Sequence, residues 1–508
     1  MPRIRIHEGA SGILTIRRPH TEPELFVPSY DLDAACELLY RVYELKGPDG
    51  RSFKESYRTE GHNWLCGQLN FLFARAIYRF VQYRELAARM IEQGETPDFE
   101  NKGGFHKLWE FFHPRRRFSL LDRWAYGRVL PAHNEKLSRT IHPQLLFYRY
   151  GPSDFRTREM LAHLEAKGID LAFVYSPSRR LIRERSTHEH PIYLLYDKPP
   201  TANAFTRDYN LTGFDPLERR FLAAAIARTE ERMTADMADC ARHRENLARM
   251  KPKAFFALED LIRLHPLLYA CEELSIPTLG YQTGTYSSRQ AANVLSRWLP
   301  GEYRYFDRLI VWGRYWEEVC RKNSQAFPED FFVIGANKHT YTYRRLASER
   351  FDAKNVLVPF EYLANTWLVG RYVEKLLAKG YRVYFKLKPD WPTERQLACY
   401  HLKPEDRAKL ILAPAITDEF MAEINIVAGS MTTLLFDLLP YGKETWVFET
   451  DYRLLDDLVD SGYARHVSLD DLDTMPVPAK ADLHADYERI FNPGRVTDVL
   501  DQHLLPLL

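Results

Sequence analysis

Long apolar runs, paired cysteines and a charge excess of either sign are all missing from this sequence. No uncharged apolar stretch approaches the roughly 18–20 residues that a membrane-spanning helix needs, so no segment is expected to cross a bilayer. The opening stretch MPRIRIHEGASGILTIRRPH is basic but lacks an apolar core of signal-peptide kind. Six cysteines stand singly, at Cys36, Cys66, Cys240, Cys271, Cys320 and Cys399. None forms a CxxC pair, so neither a zinc knuckle nor a redox dithiol is on offer. Dispersed thiols suit a reducing compartment, and a cytoplasmic protein is expected. Lys+Arg total 70 against 69 Asp+Glu, a net charge of +1. A balance that close lacks the broad basic footprint of a nucleic-acid binder.

What is present is an ordinary folding composition with many aromatic rings. Hydrophobic residues make up 45% and charged residues 27%, which excludes a disordered chain. Aromatics reach 13%, with 30 Tyr and 29 Phe, and suit sugar-handling or interface surfaces as well as cores. A chain of 508 residues exceeds one ordinary domain, and the length suggests about three.

Periodicity divides the chain. After β-like segments at Arg3 to Ile6 and Ile13 to Ile16, the stretch from His62 to Gly94 carries apolar residues at three- and four-residue spacing. A loop with Gly103 and Gly104 follows, then the basic-aromatic piece FHKLWEFFHPRRRFSLLDRW. Residues 1–140 are therefore expected to form a mainly helical N-terminal module. From QLLFYRYG onward, short apolar strands alternate with helices: TREMLAHLEAKG, DLAFVYS, a long helix opened by Asp215, Pro216 and Glu218 in capping-box order, KAFFALED, IPTLGYQTG, DRLIVWG and FFVIGA. After the linker NKHTYTYRRLASERFDA the rhythm restarts with NVLVPF, TWLVGRYVEKLLAKG, YRVYFKLKP, KLILAP, INIVAGS, TTLLFDLLPYG and TWVFE. Such alternation implies parallel sheets covered on both faces. The expected α/β architecture is two doubly wound, Rossmann-like domains facing a cleft, at residues 141–345 and 346–485, with a C-terminal helix over 486–508.

Ligands of such sheets lie beyond the carboxyl ends of the strands. Three turns there could carry chemistry. Ala428-Gly429-Ser430-Met431-Thr432-Thr433 joins a strand to a helix, so its amides and hydroxyls could hold a phosphate; helix capping is the plain alternative. Lys386 and Lys388, before the strand-stopping Pro389, put two ammonium groups on one side of a strand end. A solvated lysine pair is the default for that pattern. Gly280-Tyr281-Gln282-Thr283-Gly284-Thr285-Tyr286 allows close backbone approach, but it contains neither GxGxxG nor GxxxxGK[ST]. Opposite these, Glu259 and Asp260 end the strand KAFFAL, where a carboxylate could take a proton from an acceptor hydroxyl or merely cap the next helix. Glu449, ending TWVFE, could accept from a ribose. Asp470-Asp471-Leu472-Asp473 and His188-Glu189-His190 read as polar loops, so no metal site is expected.

In order and placement these turns resemble the GT-B transferases of bacterial surface-polysaccharide assembly, over about residues 250–450. That group includes capsule glycosyltransferases, bacterial sialyl- and Kdo-transferases, and CDP-glycerol glycerophosphotransferases. Gln282-Thr283-Gly284 stands where the group has Gln-His-Gly, and Lys388-Pro389 stands where it has His-Pro. Ser430-Met431-Thr432-Thr433 matches its serine-rich motif, and Asp307 to Trp312 with Val333 to Gly335 match its crossing stretch. Glu60-Gly61-His62-Asn63-Trp64 resembles an EGxNW stretch of some members. Lysine for histidine keeps a positive donor and loses a group that titrates near neutrality.

The resemblance implies a glycosyltransferase moving a sugar from a nucleotide-activated donor, CMP or CDP before UDP, to a surface glycan or lipid-linked glycan acceptor. It further implies nucleotide contacts at Lys386, Lys388, Pro389, Ser430, Met431, Thr432, Thr433 and Glu449. Glu259 or Asp260 would be the base. Gln282, Gly284, Thr285, Glu60, His62 and Asn63 would be further cleft contacts. No cofactor beyond the donor, no metal and no nucleic-acid partner are expected, and the FFHPRRRF piece could touch the inner face of a membrane. A CDP-polyol phosphotransferase, a sugar-nucleotide epimerase and a non-catalytic assembly protein remain the alternatives.

Overall fold

A computed structural model of the chain describes all residues except 1–2, 10–11, 60, 114–124, 152–153, 155–156, 179, 182–187, 197–204, 206–207, 259–260, 290–305, 323, 325–326, 337–353, 362–364, 389–390, 451–452 and 476–486.

The N-terminal module combines helices with a small sheet. Strand β1 (Arg3–Glu8) pairs antiparallel with β2 (Leu14–Arg17), which pairs with β3 (Glu24–Phe26). Helix α1 (Leu32–Tyr43) follows, then the two-residue strands β4 (Arg58–Thr59) and β5 (His62–Asn63), then α2 (Tyr78–Glu92). Strand β6 (Thr96–Phe99) closes the sheet parallel to β1, in the order β3-β2-β1-β6. Pro97 is tolerated there because β6 is an edge strand, where a missing N–H need not break a ladder. Helices α3 (Gly104–Phe112) and α4 (Leu130–Ser138) complete the module. The Gly103-Gly104 loop is thus short and opens a helix directly.

The second part is a seven-stranded parallel sheet in the order β13-β12-β11-β10-β7-β8-β9. Its elements in chain order are β7 (Leu145–Tyr148), α5 (Arg158–Ala166), β8 (Leu171–Tyr175), β9 (Ile192–Leu194), α6 (Pro216–Met250), β10 (Ala254–Leu258), α7 (Leu261–Glu273), β11 (Thr278–Tyr281), β12 (Arg308–Val311), α8 (Arg314–Lys322) and β13 (Phe332–Ile334). Strands buried on both faces read as unbroken apolar runs, as LLFY, LAFVY and AFFAL do. Asp215 caps α6 by accepting from the Glu218 amide at 2.8 Å, and the Glu218 carboxylate returns to the Asp215 amide at 3.3 Å.

The third part is a six-stranded parallel sheet in the order β16-β15-β14-β17-β18-β19. Its elements are β14 (Asn355–Pro359), α9 (Thr366–Ala378), β15 (Arg382–Lys386), α10 (Thr393–Ala398), β16 (Ile411–Leu412), α11 (Asp418–Glu423), β17 (Ile426–Gly429), α12 (Thr433–Asp437), β18 (Glu444–Phe448), α13 (Asp456–Asp460) and β19 (Arg465–Val467). Side chains of these strands alternate between two cores. Leu357, Tyr384, Val427 and Val447 join the core shared with the preceding sheet. Val356, Val358, Val383, Phe385, Ile426, Trp446 and Phe448 form a separate core on the α9 face. The two parallel, doubly wound sheets are the GT-B-like arrangement expected.

The last segment returns to the middle part. Helix α14 (Val496–His503) places Asp501 against His163 at 2.7 Å. The Asn492 amide donates to the Trp312 carbonyl at 2.7 Å, and Trp316 Nε1 donates to the Ile490 carbonyl at 2.8 Å. Gly313 permits this crossing, because a Cβ there would collide with the backbone of Arg489 and Ile490.

Candidate functional site

Each sheet has a switch point where successive strands leave in opposite directions, and a crevice opens between their carboxyl ends. In the third part that crevice lies between β14 and β17. It is filled from within. Glu361, two residues past β14, is buried, and its carboxylate accepts from the amides of Ser430 (2.9 and 3.0 Å), Met431 (2.9 Å) and Thr432 (2.8 Å) and from Ser430 Oγ (2.6 Å). Burial pushes the Glu361 carboxyl above its usual range, and these donors only partly offset it. Gly429 must lack a side chain because a Cβ would strike Glu361 Oε1.

The expectation of unpaired donors at this turn is therefore corrected. A resident carboxylate takes the three amides at Ser430, Met431 and Thr432, and Ser430 itself is only 2% exposed. Thr432, not Ser430, is the N-cap of α12, accepting from the Leu434 amide at 3.2 Å. Thr433 is half-buried, and its hydroxyl has no hydrogen bond among the described residues. Glu361 itself escaped the sequence reading, although its position just beyond an apolar strand was a signal.

The other expected donor-side residues are spread along the same edge. Lys386 directs its ammonium to the Pro414 carbonyl at 3.1 Å, away from a shared role with Lys388. Gln396 clamps the backbone of Lys388, accepting from its amide and donating to its carbonyl, both at 2.8 Å, while the Lys388 side chain is exposed. Pro389 lies outside the described residues. Glu449 is exposed, and its carbonyl accepts from Tyr372 Oη at 2.9 Å.

In the second part the switch point lies between β7 and β10. Glu259 and Asp260, which stand in the sequence between the end of β10 and the start of α7, lie outside the described residues. Arg149, just past β7, was not anticipated. It is buried, donates to Thr157 Oγ1 at 2.7 Å and lies 5.0 Å over the Phe173 ring.

Gln282 is a framework residue rather than a cleft contact. It is fully buried, accepts from the Trp312 amide at 2.9 Å and donates to the Gly284 carbonyl at 2.8 Å, tying β11 to β12. Gly284 has open space where a Cβ would stand, and Thr285 is half-buried. His62 and Asn63 are also corrected. His62 meets Glu273 at 3.2 Å and stacks on Tyr269 at 4.2 Å, and the Asn63 carbonyl accepts from Tyr269 Oη. Helix α7 starts at the carboxyl edge of the sheet and returns toward the start of β11. Its last residue, Glu273, thus marks the opposite edge. Glu60 lies outside the described residues.

Segments that follow the strands of the two large sheets do meet. Asp457 of α13 is 3% exposed and accepts from the Ser288 amide (2.7 Å), Ser288 Oγ (2.8 Å), Ser287 Oγ (3.3 Å) and the Lys322 ammonium (3.0 Å). Arg289 reaches Asp33 of α1 at 2.5 Å and Asp456 at 3.3 Å. These residues border a cleft of about 430 Å³ to which all three parts contribute, with Asp33, Tyr40, Arg289, Lys322, Arg453 and Asp457 in its lining. Burial alone would raise the Asp456 carboxyl, but His466, Arg453 and Arg289 hold it below its usual range. Its hydrogen bond in turn holds the His466 imidazolium above the usual value, against burial. Beside this polar contact the interface is aromatic, with Trp316 4.8 Å and Tyr315 6.1 Å from Phe436.

Among the described residues no group of three His, Cys, Asp or Glu is placed to hold a metal, and no helix is long and apolar enough to cross a membrane. Asp473 pairs with Lys375 at 2.8 Å, and His190 with Glu165 at 2.9 Å.

No family model and no curated protein matches the chain. Among solved structures it is similar to MurG of Acinetobacter baumannii, at 12% identity and a TM-score of 0.46, over 70% of this chain and 98% of that one. It is also similar to CalG4, the calicheamicin glycosyltransferase, at 12% identity and a TM-score of 0.43, over 71% and 97%. A third likeness is to the UDP-GlcNAc 2-epimerase of Neisseria meningitidis bound to UDP-GlcNAc, at 12% identity and a TM-score of 0.39, over 71% and 99%. These likenesses are distant, and the two-sheet architecture stands on the strand order itself.

Proposed function

We propose that this chain is a glycosyltransferase that moves a sugar from a nucleotide-activated donor to a surface glycan. The supporting observation is the contact of Ser287 and Ser288, in the segment that follows β11, with Asp457, in the segment that follows β18, so that chain leaving the carboxyl ends of two parallel sheets comes together. Ligands of doubly wound sheets lie at such edges. The donor belongs on the third part, residues 346–485. There the exposed Lys388 ammonium and the Thr433 hydroxyl are suited to a phosphate, and Glu449 to a ribose. Because Glu361 holds the amides of the 430–432 turn, the phosphate is assigned to these side chains instead. The acceptor belongs on residues 141–345 and the N-terminal module. Of Glu259 and Asp260, adjacent and so unable to face the same way along an extended backbone, one acts as the base and the other supports the turn. Closing the cleft excludes water and favours transfer over donor hydrolysis.

The chemistry proposed needs no metal and no cofactor beyond the donor. CMP or CDP as the carrier, a capsular or lipid-linked acceptor, and a cytoplasmic location at the inner face of a membrane follow from the resemblance of the sequence motifs alone. The test is a thermal-shift series with CMP, CDP, UDP and GDP, followed by nucleotide release from matching donors. A nucleotide that binds only the folded state raises its melting point. Acceptor-dependent release supports transfer. Conversion of the sugar without an acceptor replaces it with the epimerase reading. Neither a melting shift nor any release leaves the assembly-protein reading.

A further inference from the structure

Arg75 lies in the π-helical turn Phe71–Ile77 that leads into α2, and Arg79 follows four residues later on the same helical face. Helix α3 packs alongside, its Phe105 ring 5.4 Å from that of Tyr83. Glu8 joins the two helices. Its carboxylate accepts from the Gly104 and Phe105 amides at the start of α3 and from Tyr83 Oη. Arg79 stands one turn before Tyr83, and Lys107 stands one turn after Gly104. The two cations therefore flank the same anchor, with Arg75 one turn beyond.

Among the described residues none of these three side chains makes a hydrogen bond or ion pair, although Arg75 and Lys107 are exposed and Arg79 is half-buried. The acidic groups facing them are Glu8, already engaged with α3, and Glu110, one turn past Lys107. The three charges lie within each other's field. Burial and Arg75 push the Arg79 guanidinium down, and burial, Arg79 and Arg75 push the Lys107 ammonium down. A cluster of like charges is self-repulsive until an anion enters. Two guanidinium forks and an ammonium are the set that recognises a phosphate group. Arg75 sits in a π-helical turn, a rare feature that recurs at functional sites.

We propose that Arg75, Arg79 and Lys107 form a binding site for a phosphate-bearing ligand on the N-terminal module, separate from the donor cleft. The phosphate can belong to a soluble phosphoryl compound or to a lipid headgroup, and the test separates them. Pyrophosphate binding is measured by calorimetry at low ionic strength. Sedimentation is measured with phosphatidylcholine vesicles with and without phosphatidic acid. Both use the full chain and the exposed-site variants Arg75→Ala and Lys107→Ala, with Arg79→Lys as a conservative partner. Circular dichroism verifies their folding. Each alanine variant is expected to weaken binding by about tenfold, and Arg79→Lys by less. Pyrophosphate binding lost in the variants identifies a soluble ligand. Binding to phosphatidic acid vesicles alone, lost in the same variants, identifies the headgroup. No binding of either kind, or binding equal in native and variant chains, overturns the site.

Discussion

Removing the Glu361 carboxylate tests the filled crevice most directly. Four donors converge on it: the amides of Ser430, Met431 and Thr432 and the Ser430 hydroxyl. A hydrogen bond to a charged group contributes about 1.5–3 kcal/mol, but these donors do not share one fate. Met431 and Thr432 are half-buried and can recover water. Ser430 is 2% exposed, so its amide and hydroxyl would each be stranded at about 1–3 kcal/mol. Glu361→Ala is thus expected to destabilise the third part by about 3–5 kcal/mol, within the combined cost of those two stranded donors. Glu361→Gln keeps the volume and one acceptor but turns an NH₂ toward the amides, and should cost about 2–3 kcal/mol. Unfolding of a chain with several domains need not be two-state. The readout is therefore local, as amide hydrogen exchange at Ser430, Met431 and Thr432, combined with the melting of the third part. At roughly 2–4 °C per kcal/mol, the alanine variant should melt roughly 6–20 °C lower. Glu449→Ala, at an exposed neighbour, is the control and should stay within about 0.5 kcal/mol. Native melting and native exchange protection in Glu361→Ala would refute the reasoning outright.

Four further outcomes are expected. Lys388→Ala should weaken nucleotide binding by about 1–3 kcal/mol in calorimetry, and unchanged affinity would return the lysine to the solvated surface. One of Glu259→Gln and Asp260→Asn should lower turnover by roughly 10²–10⁴-fold with nucleotide affinity intact; full turnover in both would put the base elsewhere. Asp457→Ala should destabilise the contact between the second and third parts by about 1–3 kcal/mol, read as faster proteolysis between them, because it strands the buried Ser288 amide. His466 should titrate above the usual histidine range in NMR, because Asp456 holds its imidazolium. Its folded value is raised, so its stabilising contribution is complete below the unfolded value and is lost as pH rises through the folded one. His466→Gln should abolish that slope.

What could be read from the sequence was whatever a local segment decides by itself. LLFY, LAFVY and AFFAL are apolar throughout because both faces of their sheet are covered, and no partner need be known to see it. The Asp215–Glu218 capping box is likewise a four-residue fact. The short strands β3 and β6, ELF and TPDF, carry too little periodicity to register. The site was legible only as strand ends. Nothing local in FEYL says that Glu361 will close on amides some 70 residues later, since that depends on β17 lying beside β14. Asp457 failed to stand out for the same reason: within DDLVD it looks solvated, and the partner that buries it comes from another sheet. His62 shows the converse error. Its motif suggested a cleft, but the return of α7 carries its partner Glu273 to the opposite edge.

The contact between the two sheets has two chemically different halves, and that difference bears on how a cleft here can work. On one side Trp316 and Tyr315 pack against Phe436, in a core that runs without interruption from the second part into one face of the third. Exposing apolar surface is unfavourable by about 25 cal/mol per Å², and water returns none of it. On the other side Asp457, Lys322, Arg289 and Asp456 are charged groups whose partners water can replace, so separating them recovers most of the hydration lost on pairing. Parting the sheets evenly would break both halves. Rotation about the aromatic contact would break only the polar one, at far smaller net cost. The 430 Å³ cleft lies on the polar side. The residues that line it are therefore the ones whose contacts cost least to exchange for water.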